Sequence, residues 1–199
     1  MPTAGQLVAS WGLFGLLLTS SVMAAGVTVG VTWLRDHLKN DKEAKFAALY
    51  LAIALEAYAE MLSDMVSNAE THIDSRGASG KEPEGIPDIP EYPDVDWRAF
   101  GIEGTQMALA FLNAINLVQG KITHEREFNP EEADYQIRVL GTHLGVTAIE
   151  MAEDFRRRRG LRLREFHPEW GMKAFLLRQE AIYKKRDLSR QAGPNDLMA

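Results

Sequence analysis

The sequence predicts an all-α chain: one N-terminal transmembrane helix followed by a helical-bundle soluble domain of about four helices. Three observations carry this. Residues 1–34 contain no charged side chain. Beyond them, apolar residues recur at the three- and four-residue spacing of a helix, and no run alternates as a half-buried strand would. Capping and helix-breaking residues stand where those runs should start and stop.

The domain organisation that follows has three parts. Residues 1–39 form a membrane anchor with the span at about 8–34, residues 40–192 form the helical domain, and residues 193–199 form a C-terminal tail. Between Trp11 and Leu34 there are ten Leu, Val or Phe residues, each favouring insertion by roughly 0.3–0.6 kcal/mol at the centre of a membrane helix. Trp11 and Trp33 are 22 positions apart, about 33 Å along a helix. That places an aromatic ring at each interface of a hydrocarbon layer roughly 30 Å thick. A cleaved secretory signal fits less well, because no Lys or Arg precedes the apolar stretch and the stretch runs on well past Ala25.

Flanking charge sets the orientation. Arg35, Lys39, Lys42 and Lys45 follow the span and no basic residue precedes it, so the positive-inside rule puts the C-terminal domain in the cytoplasm and the N-terminus outside. Arg35 then marks the inner membrane interface beside Trp33. Within the span, Gly26 and Gly30 make a GxxxG that lets two helices approach closely, which predicts a homodimer through the membrane helix.

The first helix of the soluble part should start at Asn40, with Glu43 completing a capping box, and run to about His72. Phe46, Leu49, Tyr50, Ile53, Ala54, Ala57, Tyr58, Met61, Leu62 and Met65 read as its core face, and Glu56 and Glu60 as part of a solvated stripe. From Phe46 to Leu55 no residue is charged, which predicts burial on nearly all sides and a central place in the bundle. Residues 74–96 form an extended Pro-rich segment, held by Pro83, Pro87, Pro90 and Pro93, with Ile86, Ile89, Tyr92, Val95 and Trp97 laid along the domain.

A third helix is expected over 105–122, facing inward through Met107, Phe111, Ala114, Ile115, Val118 and Ile122. Asn129 followed by Pro130, Glu131 and Glu132 marks the next start. That helix should reach Arg158, its core stripe running from Ile137 to Phe155. A last helix from near Pro168 should bury Trp170, Ala174, Leu177 and Ala181 and end before Gly193.

Composition excludes several chemistries. There is no cysteine, hence no disulfide, thiolate nucleophile or Cys-ligated metal. Five histidines are scattered, and no Glu-x-x-His occurs, so a carboxylate-bridged di-metal site lacks its ligand pattern. Phosphate-loop, nucleophile-elbow and His-Glu-x-x-His motifs are absent too. The sequence therefore calls for no metal and no cofactor.

Charge is unevenly placed. Residues 41–155 carry 22 acidic and 8 basic side chains, a balance of −14, while residues 156–190 carry 12 basic and 4 acidic ones, a balance of +8. The basic tract, Arg156, Arg157, Arg158 and Arg159 with Lys184, Lys185 and Arg186, suits anionic lipid headgroups on a tethered domain. It suits equally well the acidic residues of its own domain. Nucleic acid fits less, since no aromatic–basic interleaving accompanies the charge.

In outline the chain resembles single-span proteins of the bacterial inner membrane with a helical cytoplasmic domain, an outline that implies no activity. The function expected from sequence is that of a membrane-anchored, cytoplasmic-facing interaction or scaffold protein with an unidentified protein partner. The alternatives are a helical enzyme whose site is not visible in sequence and a basic-tract nucleic-acid binder.

Overall fold

A computed structural model describes residues 41–88, 92, 94–169 and 171–192. The proposed span at 8–34, with Trp11, Trp33, Gly26 and Gly30, lies outside the described residues, as do Arg35 and the Asn40 cap. The chain divides into two compact units, Met1–Glu43 and Ala44–Ala199.

Among the described residues every regular element is a helix. They are α1 (Asp41–Asp74), α2 (Trp97–Phe100), α3 (Ile102–Phe128), α4 (Pro130–Arg158) and α5 (Met172–Ala192). Four long helices thus make the bundle. By length and composition α1 could cross a membrane, but more than half of its most apolar stretch is buried within the protein, as in a core helix.

The buried side of α1 is only in part the one the sequence pattern picks out: Tyr58 and Leu62, expected in the core, are fully buried there. Ala44, Ala48, Leu51, Leu55, Tyr58, Leu62, Val66 and Ala69 are buried, at spacings of four and three. Phe46, Tyr50, Ile53 and Met61, expected in the core, are instead 58%, 51%, 47% and 48% exposed on the other side of the helix. The reason is packing distance. Alanines let α1 approach its neighbours closely, so the smaller residues line the interface and the larger ones are left outside. Expected burial on nearly all sides between Phe46 and Leu55 is corrected accordingly, and Glu56, expected on a solvated stripe, is buried at 4% exposure.

At its C-terminus α1 closes in a Schellman turn: Arg76, at a left-handed φ of 55°, donates its N–H to Ile73 O at 3.0 Å, and Gly77 N–H donates to His72 O at 2.8 Å, which satisfies carbonyls of the last turn. The Pro-rich segment is then held against the bundle. Ile86 is buried, Tyr58 Oη donates to Pro87 O at 3.2 Å, and Arg126 Nη2 donates to Pro83 O at 2.9 Å. Tyr92 Oη donates to Ala108 O at 3.2 Å. The bonds to Pro83 O and Pro87 O satisfy carbonyls that an extended chain leaves without partners of its own, and the Tyr92 bond fastens the segment to α3.

Asp96 begins the short α2, its Oδ1 accepting from the N–H groups of Arg98 at 2.9 Å and Ala99 at 3.3 Å. α3 extends beyond the expected 105–122 at both ends. Asn129 then ends α3 and caps α4 in one residue, accepting from Glu132 N at 3.4 Å, so the two helices form a tight antiparallel hairpin. α1 and α4 share the centre of the bundle. α4 is in contact with α3 and α5, while Tyr58 of α1 meets Phe111 of α3 edge-on and Tyr183 of α5 bonds Glu70 of α1. Small residues permit this crowding: a Cβ at Gly145 would stand 3.0 Å from Leu176 Cδ1 and 3.6 Å from Leu62 Cβ.

In α5 the expected face is also corrected. Leu176 and Tyr183 are buried, whereas Leu177 and Ala181 are exposed. One residue is 100° of helix rotation, and here that step separates core from surface. Trp170 lies outside the described residues. The helix starts at Met172, later than Pro168, which sits in a turn closed by Gly171 N–H donating to His167 O at 3.2 Å.

Candidate functional site

The basic tract starts at the C-terminal end of α4, where the helix dipole is negative and cations are favoured. Arg156 turns inward and is 9% exposed. Its Nε donates to Glu56 Oε1 at 2.8 Å and its Nη2 to Glu56 Oε2 at 3.1 Å, a two-pronged ion pair between α4 and α1. Its remaining nitrogen, Nη1, donates to Arg162 O at 3.2 Å. Arg164 adds a second cation, with Nη1 3.7 Å from Glu56 Oε2 and Nη2 on Glu60. Glu56 thereby ties α1 to α4 and to the loop that follows α4.

Most of the rest of the tract is also paired within the domain. Arg157 pairs with Glu153 at 3.1 Å, and Arg158 with Asp154 at 2.6 Å and Glu103 at 2.8 Å. Arg159 Nη2 donates to Phe100 O at 3.0 Å. Lys184 pairs with Glu180 at 3.0 Å, Arg186 lies 5.9 Å from the centre of the Tyr183 ring, and Lys185 is exposed on α5. The structure brings Arg156–Arg159 together at one end of α4, while Lys184–Arg186 sit on a different helix.

A second cluster, which sequence reasoning missed, joins α1, α4 and α5. Glu70 accepts from Arg138 Nη1 and from Tyr183 Oη, both at 2.7 Å. Tyr183 meets Tyr135 edge-on, with ring centres 6.1 Å apart, and Tyr135 Oη donates to Asp187 Oδ1 at 2.8 Å. Arg190 lies 4.1 Å from the centre of the Tyr135 ring. Burial pushes the Glu70 carboxyl up, but hydrogen bonds from Tyr183 and Arg138 and the charges of Arg138 and Arg186 outweigh it, so the group titrates below its ordinary 4.5. Burial and the bond to Glu70 push the Tyr183 phenol up.

A carboxyl with a depressed folded pKa adds stability that is fully present above its unfolded pKa and lost as pH falls through the folded value. Glu70→Gln should therefore lower the thermal midpoint by a constant amount above about pH 6, and the gap to the parent should close below about pH 4.5. Circular-dichroism melts from pH 3 to 7 read this. A gap that stays constant through the acid range contradicts it.

Neither cluster presents a free reactive group. Glu56, Glu60 and Glu70 are each held by arginine at hydrogen-bond distance and Asp187 by the Tyr135 hydroxyl, an arrangement that fixes helices. His143 Nδ1 is 3.3 Å from Glu180 Oε1, and His124 packs on Phe128. Among the described residues no group of three or more His, Asp or Glu is placed to hold a metal ion. A cavity of about 240 Å³ between Phe100, Phe155, Arg158 and Arg159 is small, and its arginines are the paired ones above. A larger groove of about 720 Å³ runs beside α2 and α3, lined by Trp97, Ile102, Leu109 and Ala110 together with Arg98, Thr105, Gln106 and Asn113.

Comparison with protein-family models, curated proteins and solved structures finds no match to this chain. The site is therefore read from its own chemistry. What the surface offers is apolar area: Phe46, Tyr50, Ile53 and Met61 on α1, and Ile102, Leu109 and Leu117 on α3. A sequence signal for the buried pair did exist. Between Phe46 and Ala59 the only charged residue is Glu56, and an acid alone in such a run is either isolated in solvent or paired in the core.

Proposed function

We propose that the protein is a membrane-tethered helical interaction protein, its bundle held at the cytoplasmic face of a bacterial inner membrane by the span at 8–34. The observation that carries the interaction reading is the pair of exposed apolar stripes on α1 and α3, since large apolar side chains gathered on one helix face mark partner surfaces. The tethering reading rests on the uncharged residues 1–34, their flanking tryptophans and the basic residues that follow. The basic tract contributes less to recognition, because its arginines are occupied by carboxylates and a carbonyl of the same domain.

The full-length protein should stay with membranes through an alkaline carbonate wash, and a chain starting at Arg35 should not. A reporter after Ala199 should behave as cytoplasmic. Protection of the domain should be complete when protease is added outside intact cells. A mature N-terminus near Ala25, or cleavage of the domain from outside, contradicts the tethering. Phe46→Asp combined with Leu109→Asp should remove the proteins that co-purify with the full-length chain in detergent, and an unchanged set contradicts the interaction reading.

A further inference from the structure

We infer that the exposed stripe of α1 is a self-complementary surface that takes a second copy of this chain, with the two α1 helices antiparallel. The inference rests on the interaction reading and names the partner for one of its two stripes. Phe46, Tyr50, Ile53, Ala57 and Met61 are spaced four, three, four and four, which keeps them on one narrow face over about 22 Å of helix. Four of them are large and about half exposed, and Ala57 is exposed with them.

Their order decides the direction. Reversing one helix about a point between Ile53 and Ala54 sets Phe46 against the other copy's Met61, and Tyr50 against its Ala57. A large residue then faces a small one at Tyr50, a thioether meets an aromatic ring, a favourable contact, and Ile53 stands one residue from its own counterpart across the two-fold axis. A parallel pairing would set Tyr50 on Tyr50 and Ala57 on Ala57, a clash followed by a gap.

The area suits a tethered partner. A fully exposed aromatic side chain carries roughly 150–250 Å², so four half-exposed large residues offer on the order of 400 Å² from each copy. That is about half of what a standard interface uses per partner, and an association of this size is weak in free solution. Confinement to a membrane raises the effective concentration of one copy near another and makes such a contact effective.

The absence of cysteine makes the test clean. In membranes holding the full-length protein, Ile53→Cys should oxidise to a covalent dimer, since its counterpart is one residue from directly opposite. Phe46→Cys alone and Met61→Cys alone should not, because equivalent positions lie roughly 22 Å apart in the antiparallel pair and a disulfide needs Cα atoms within about 7 Å. Differently tagged Phe46→Cys and Met61→Cys chains, co-expressed, should give the mixed dimer. Adding Tyr50→Asp to both should cut its yield at least fivefold with helical content unchanged.

Dimers from Phe46→Cys alone and Met61→Cys alone would mean parallel pairing and overturn the inference. No dimer in any combination overturns it as well, and assigns the stripe to lipid, to residues 1–40 of the same chain or to another protein. If Phe46→Asp with Leu109→Asp still strips co-purifying proteins in that case, the interaction reading survives without the dimer. If it does not, both fall.

Discussion

Replacing Arg156 by Met should destabilise the protein by about 3 kcal/mol, because it leaves the Glu56 carboxylate buried without its two-pronged partner. The pair is 9% and 4% exposed, so water does not reach the acid to take the place of the guanidinium. Arg164 at 3.7 Å from Glu56 Oε2 compensates in part, which keeps the effect at the low end for a broken buried pair. The adjacent Arg157→Met removes only an exposed i,i+4 pair with Glu153 and should cost about 0.5 kcal/mol or less. Glu56→Leu with Arg156→Met should recover most of the loss, since an apolar pair of similar volume replaces a desolvated ionic one. Chemical denaturation of the full-length protein in detergent, followed by circular dichroism, measures all three. If Arg156→Met and Arg157→Met cost the same, the Glu56 pair does not hold the bundle.

Those two neighbouring arginines also show what a sequence can and cannot convey. The tract was legible as charge, and so was its counterpart, the acidic excess in the residues before it. Which arginine turns inward was not, because that depends on where α4 ends relative to α1 and on a carboxylate 100 positions earlier in the chain. Helix existence was legible for the same kind of reason that pairing was not: it is set by nearest neighbours along the chain. Asn129-Pro130 fixed the start of α4 through a local cap, and Gly160 lies two residues beyond its end.

Faces were the weak point. Hydrophobic periodicity gives a helix its stripe, but α1 carries two, one of large residues and one mostly of alanine and leucine, on opposite sides. Ranking them by size puts Phe46 and Tyr50 inside. The bundle buries the other, because Ala44, Ala48 and Gly145 allow helix axes to come close and so bury more backbone and Leu surface. In α5 the choice between Leu176 and Leu177 turned on Tyr183, seven residues after Leu176 on the same face, whose hydroxyl needed a partner and found Glu70. Neither preference is written in the local pattern.

Phe155→Ala should have an effect at least as large as the loss of Arg156, about 3–5 kcal/mol. Phe155 is 1% exposed and meets Phe100 edge-on, with ring centres 4.9 Å apart at 88°. Phe100 in turn meets Trp97 at 6.4 Å, and Trp97 meets Tyr92 at 6.1 Å. This row of rings is what holds α2 and the end of the Pro-rich segment against α4. Removing its inner member leaves a void beside the existing cavity at Gly101–Gly104, and among the described residues leaves Phe100 the more distant Trp97 ring, at 6.4 Å. The destabilisation should therefore come with a local signature. Tryptic cleavage after Arg98, in α2, should accelerate at denaturant concentrations where the far-ultraviolet signal of the four long helices is still intact. Phe155→Leu, which refills most of the volume, should cost roughly 1 kcal/mol and leave that cleavage slow. Equal loss of stability without faster cleavage at Arg98 would show that Phe155 serves the bundle core alone and that the strap is held by the Tyr58 and Tyr92 hydrogen bonds instead.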